Sequence, residues 1–131
     1  MNSSTDQFSD RIPIETSFGT IFPHRSEIIR FQGGHNCVYL FLTTSEKPVK
    51  ILHKLRDIEA LCSDLFRCHI SHVINLDHVT KYERKACRIT TTNGIVPIAE
   101  TRLKDFESRI KRSVRPGDLK TKNDDIDFMR L

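Results

Sequence analysis

No stretch of this chain approaches the ~20 consecutive apolar residues needed to cross a bilayer. The start does not read as an export signal: Met1 to Asp10 is polar and acidic, with neither a basic end nor an apolar run. The four cysteines, Cys37, Cys62, Cys68 and Cys87, form no Cys-x-x-Cys pair. Without an export signal, reduced thiols in a cytoplasmic protein are the expectation. There is also no internal repeat, no glycine-rich phosphate loop and no paired-carboxylate motif. These gaps argue against a membrane protein, a disulfide scaffold and an enzyme.

What remains is a chain of 131 residues with 37% hydrophobic and 29% charged residues. That is enough for one domain with its own core, without help from disulfides or metal. The net charge is +4, and its distribution says more than its total. Residues 1–80 carry 8 Lys/Arg against 9 Asp/Glu, whereas residues 81–112 carry 9 against 4. Residues 113–131 carry 4 of each. A localised basic excess suits a polyanionic partner, although a solvated helix face would have the same composition.

Residues 1–10 read as a disordered N-terminus. A strand is expected near Arg11–Glu15, with a hairpin partner over Phe18–Phe22 and Gly19 in or near the turn. Ile28, Ile29 and Phe31 form a strand ending at Gly33-Gly34, where the glycines permit a positive-φ turn. The apolar run Cys37–Thr43 reads as a central strand buried on both faces. After Val49–Leu52 comes a first helix over His53–Ser63. Its stripe is Leu55, Ile58, Leu61, Cys62 and Leu65.

Phe66, Cys68 and Ile70 then alternate with Arg67, His69 and Ser71 at strand period. The phase breaks near Ile70-Ser71-His72, which suggests a turn between two strands. Asn75 to His78 forms another turn, because Asn and Asp bond their own backbone. Two strands follow, Val79–Glu83 and Cys87–Thr91. Asn93-Gly94 reads as a type I′ hairpin leading into Ile95–Ile98. A second helix covers Thr101–Arg112, with Leu103, Phe106, Ile110 and Val114 on its apolar side. Arg102, Lys104, Arg109, Lys111 and Arg112 form its basic side, and Pro116-Gly117 ends it. The rest, over 113–131, reads as a charged flexible tail.

The segment Phe66-Arg67-Cys68-His69-Ile70-Ser71, followed by Val73 to Leu76, resembles the signature of the LytTR family of bacterial DNA-binding domains. The order of elements around it also resembles that family over 11–112. The resemblance implies a mainly β (α+β) fold of small antiparallel sheets, elongated, with one or two helices and a C-terminal basic helix. It implies a transcription regulator whose loops enter successive major grooves of double-stranded DNA while Arg, Lys and Ser hold phosphates. Two copies bound to direct-repeat sites are the expected assembly, with no cofactor, metal, membrane or small-molecule substrate. Family members often carry a receiver domain or membrane segment upstream, and this chain is expected to have neither.

By the same resemblance, the DNA-binding residues are His35 and Asn36 in a first loop, His69 and Ser71 in the signature, and Thr101, Arg102 and Lys104 at the start of the last helix. Asn36 has a plainer reading as a residue that only supports positive φ. His69 matches the motif, but a histidine in a half-buried strand is more often a satisfied structural group, and Asn75 reads as turn-forming. The chain departs from the family at Ile70, where Arg, Lys or Asn is usual, and at Ala99-Glu100-Thr101, where Ser-Arg-Arg is frequent. These departures keep a second reading open: a binding-impaired module that acts through another regulator or a sensor. A metal site among Cys62, Cys68, His69, His72 and His78 is disfavoured, since adjacent strand residues point to opposite faces. The same geometry excludes Cys68-His69 as a catalytic dyad.

Overall fold

The computed structural model describes residues 10–113. The segments expected to form a disordered start and a charged flexible tail, apart from Asp10 and Ser113, lie outside the described residues. So do Val114 and the Pro116-Gly117 stop.

Among the described residues the protein is mostly strand with two short helices, all strand pairs antiparallel. Seven strands form one sheet: β1 (Ile14–Thr16), β2 (Gly19–Ile21), β3 (Ile28–Gly34), β4 (Cys37–Leu42), β5 (Val49–Ile51), β6 (Leu65–His69) and β7 (His72–Asn75). Their order across the sheet is β2-β1-β5-β4-β3-β7-β6. A second sheet contains β8 (Val79–Glu83), β9 (Arg88–Thr91) and β10 (Gly94–Pro97), in the order β10-β9-β8. Helix α1 covers Leu55–Ile58 and helix α2 Leu103–Ser113, the latter entered through a 3-10 turn over Glu100–Arg102.

Each sheet has its own core. Ile14, Phe31, Val38, Leu40, Ile51, Leu55, Ile58, Leu65 and Val73 gather on one face of the large sheet. Phe66, Cys68, Ile74, Tyr82, Ile89, Val96, Leu103 and Phe106 form the second core, where α2 and the small sheet meet the opposite face. Phe106 is its centre, with ring centroids 4.7 Å from Tyr82 and 5.8 Å from Phe66. The cores share β6 and β7. Leu65 and Val73 face one core, and Phe66, Cys68 and Ile74 face the other.

Two-sided burial was expected of the Cys37–Thr43 run, and here the structure corrects the sequence reading. β4 is central in the sheet, yet only Val38 and Leu40 are buried. Its other face stays half-exposed, with the Arg30 guanidinium 3.9 Å above the Phe41 ring. The reason is coverage: the second core reaches only the β7–β6 side of that face.

Turns bring further corrections. Gly33 and Gly34 are both paired within the β3–β4 ladder, opposite Val38 and Cys37. The left-handed residue is Asn36, at φ 60°. At the β9–β10 hairpin Thr91 pairs with Gly94, so Thr92 and Asn93 form the turn, and of Asn93 and Gly94 only Gly94 (φ 142°) is positive. The Thr91 hydroxyl organises this turn, accepting from the Asn93 N–H at 3.2 Å and donating to the Gly94 carbonyl at 2.9 Å. Thr16 does the same in the β1–β2 hairpin, with Phe18 N–H at 3.1 Å and the Gly19 carbonyl at 2.7 Å.

The first helix is shorter than its apolar stripe suggested. After one turn it tightens to 3-10 geometry over Glu59–Leu61, and Cys62 is already extended. The stripe residues still pack together, because Leu65 reaches the same core from β6. Asn75 is 1% exposed and fixes the next turn, accepting from the Asp77 N–H at 3.0 Å. Its amide donates to the carbonyls of Arg25 (3.0 Å) and Ile28 (2.8 Å). The expected turn-forming role is therefore explicit in its bonds.

Candidate nucleic-acid interface

Register brings the three expected contact segments to one end of the large sheet. β3 lies between β4 and β7, with Gly33 opposite Val38 and Gln32 opposite His72. The β3–β4 turn, carrying His35 and Asn36, therefore lies beside the β6–β7 turn, carrying Ile70 and Ser71. Their centres are about two strand spacings apart, roughly 10 Å. The third segment flanks the far side of the second turn. Ala99 N–H donates to the Cys68 carbonyl at 2.8 Å, and Arg102 Nε donates to the Arg67 carbonyl at 3.0 Å. Along this end the order is thus His35-Asn36, Ile70-Ser71, then Glu100-Thr101-Arg102.

The last two segments enclose an open cleft of about 340 Å³ lined by Glu59, Arg67, His69, Ile70, Ala99, Thr101 and Arg102. His69, Thr101 and Arg102 meet there, and Ser71 joins through His69. His35 and Asn36 are exposed on the adjacent turn, and Lys104 is exposed outside the cleft. Arg67 and Glu59 were not singled out as site residues. For Arg67 a signal existed: it stands two places before His69, on the same face of a strand. Glu59 comes from the 3-10 turn after α1, and no local pattern connects it with β6.

Hydrogen bonds set what each group can offer. The Ser71 N–H points at His69 Nδ1 (3.2 Å), which assigns that nitrogen as an acceptor. The Ser71 hydroxyl, 3.0 Å from the same nitrogen, then donates to it. The neutral His69 ring consequently carries its proton on Nε2, a donor suited to a base edge or a phosphate oxygen. Ser71 Oγ can donate to a phosphate only by leaving His69.

Arg102 is largely committed inside the protein. Besides its bond to the Arg67 carbonyl, it pairs with Asp105 at 2.9 Å and lies 3.9 Å from Glu59. Its guanidinium stacks 4.6 Å over Phe66, and Arg109 approaches the same ring at 5.7 Å while donating to the Ser63 carbonyl. Glu59 also accepts from the Arg67 N–H at 2.7 Å. The expected basic face of the last helix is therefore partly turned inward. Arg84 is paired with Glu107, and Arg88 with Glu83. Lys85, Lys104 and Lys111 are left exposed.

Two neighbouring groups, His72 and Cys68, are held in their neutral forms. Burial, then the nearby Arg30 and His69, push His72 down to about 4, and its buried Nδ1 has no hydrogen-bond partner among the described residues. Burial pushes the Cys68 thiol up to about 12, so it acts as a core residue, while His69 on the other strand face reaches the cleft. No helix among the described residues is long and apolar enough to cross a membrane.

No protein with a curated description matches the chain. Among solved structures the fold is similar to the LytTr DNA-binding domain of a Bacillus cereus protein described as a methyl-accepting/DNA response regulator. The TM-score is 0.61 at 20% identity, covering 76% of this chain and 94% of that one. The family model for the LytTr DNA-binding domain matches residues 20–111, most of the chain and all three segments at the sheet end, and on that match the chain belongs to the LytTR family of DNA-binding domains.

Proposed function

We propose that this chain is a cytoplasmic transcription regulator that binds double-stranded DNA sequence-specifically through the end of its large sheet. One observation carries the reading: three segments distant in sequence, His35-Asn36, His69 to Ser71 and Thr101 to Lys104, come together on one exposed edge. His35, Asn36, His69 and Thr101 supply donors and acceptors for bases, and Lys104 supplies charge for phosphate. Ser71 and Arg102 take part after giving up an internal bond, or act by holding the two turns in place. Two copies on a direct repeat are the proposed assembly.

A second reading is favoured by the Glu59 carboxylate in the cleft and by the internal pairing of Arg102. Both reduce the positive charge available to phosphate. On this reading the sheet end meets another regulator or a sensor rather than DNA. Selection of bound sequences from a random duplex library, at low and at moderate salt, separates the two. An enriched repeat motif supports the regulator. Binding at low salt without enrichment means that the edge holds phosphates without reading bases. Absence of binding at both salts supports the protein-interaction module.

A further inference from the structure

Ile70 is 78% exposed, although it stands where strand period would place it beside the buried Phe66 and Cys68. The β6–β7 turn throws it outward, and that turn is held firmly. Arg67 Nη2 donates to the Ile70 carbonyl at 2.6 Å. The Ser71 N–H is bound to His69, and the Ser71 carbonyl accepts from the Gly33 N–H at 2.9 Å. A β-branched aliphatic side chain contributes nothing to turn formation, where Gly, Asn, Asp and Ser have specific roles. Local structure therefore gives no reason for this residue. Its position is central, between the His35-Asn36 turn and the Thr101-Arg102 segment, and its sequence neighbours Arg67, His69 and Ser71 are polar.

We propose that Ile70 makes the β6–β7 turn select A·T base pairs by apolar contact, an inference that rests on the DNA-binding reading above. An isoleucine cannot neutralise a phosphate or pair with a base edge, so its favourable partner on DNA is an apolar one. An A·T pair offers this in either groove. In the major groove thymine presents its C5-methyl group, and in the minor groove the pair lacks the guanine N2 amino group. Covering that amino group with an aliphatic side chain would leave a buried donor without an acceptor. At this position the chain trades a polar contact for discrimination against G·C.

The test uses the full chain and the duplex enriched by selection. Each A·T pair is changed in turn to G·C, with Ile70→Ala measured alongside. The expected result is one or two positions per copy where G·C weakens binding by about fourfold or more, roughly the worth of one buried methylene. In Ile70→Ala that preference disappears. Because Ile70 is exposed, the variant should unfold at the wild-type temperature, and Ile70→Val should retain the preference. Two altered pairs then name the groove. A·U lacks only the methyl group and weakens binding if the contact is in the major groove. Inosine·C lacks only the amino group and restores binding if the contact is in the minor groove. A preference for A·T that persists unchanged in Ile70→Ala overturns the assignment while leaving DNA reading intact. Failure to enrich any duplex overturns the DNA reading itself.

Discussion

The Gly33 N–H donates to the Ser71 carbonyl at 2.9 Å, joining the tips of the two hairpins that carry His35-Asn36 and Ile70-Ser71. This bond extends the β3–β7 ladder to the turns, so their spacing is a property of the sheet rather than of two independent loops. Rigid placement of reading groups is what specificity requires, since a base edge is discriminated by bonds of fixed length and angle.

Asn36 has two separable roles, and Asn36→Gly separates them. Glycine adopts φ 60° without strain, so stability should stay within about 0.5 kcal/mol of wild type. If Asn36 reads a base, discrimination between the selected duplex and its single-pair variants falls by about 1–3 kcal/mol. Asn36→Val should instead destabilise by about 1–2 kcal/mol, because its branched Cβ opposes the left-handed conformation. Chemical unfolding and competition binding on both variants provide the check. Unaltered discrimination in Asn36→Gly would reduce Asn36 to a turn residue.

Arg102 and Lys104 lie two positions apart and should behave differently. Lys104 is exposed, so Lys104→Ala should leave stability within about 0.5 kcal/mol. It should also flatten the dependence of log K on log salt by about 0.9 if it holds one phosphate. Arg102→Ala removes a bond to the Arg67 carbonyl, a stack on Phe66 and the Asp105 pair. It should destabilise the domain by about 1–2 kcal/mol, with Arg102→Lys a poor substitute at a stacked, forked site. Equal salt slopes for wild type and Lys104→Ala would remove Lys104 from the interface.

Much of this arrangement was legible along the chain, because strand period, apolar stripes and turn residues are local signals. The β6–β7 break and the Leu103, Phe106 and Ile110 stripe of α2 follow directly from them, whereas the β3–β4 and β9–β10 turns do not fall on Gly33-Gly34 and Asn93-Gly94. Two features were not legible, and each depends on what packs from far away. Burial of β4 on one face only depends on how far α2 and the small sheet reach. The inward turn of Arg102 reflects Phe66 and Glu59, which no helical pattern reveals. By contrast, the positive φ of Asn36 agrees with its plainer reading, and it falls there rather than at Gly33-Gly34 because the ladder extends through Gly34. Composition assigned residues 81–112 a basic excess, but only the fold shows that Arg84, Arg88 and Arg102 are already paired.

Asn75 should be a stability residue rather than a DNA contact. Asn75→Ala leaves the carbonyls of Arg25 and Ile28 and the Asp77 N–H without their partner. Buried groups left unpaired cost about 1–3 kcal/mol each, partly relieved by water at the more exposed Arg25 end. A loss of about 2–4 kcal/mol is expected. The folded fraction should bind DNA with wild-type sequence preference. A changed preference, measured on the selected duplex, would move Asn75 into the reading surface.

His72 predicts the response to acid. Its folded value, pushed down to about 4, lies below the ordinary histidine value of 6.5. Between those limits the unfolded chain binds the proton more readily than the native state, so stability rises with pH. The contribution should be fully present above about pH 6.5 and lost progressively as pH falls towards 4. The physical source is burial first, then the positive Arg30 and the neighbouring His69, all of which disfavour an imidazolium. His72→Gln keeps a polar side chain of similar reach but cannot titrate. Urea unfolding at pH 7.0, 6.0, 5.0 and 4.5 should therefore show a shallower acid loss in the variant than in wild type, with the curves diverging below about pH 6.5. Parallel curves over that window would mean that His72 binds its proton as readily in the folded protein as in the unfolded chain.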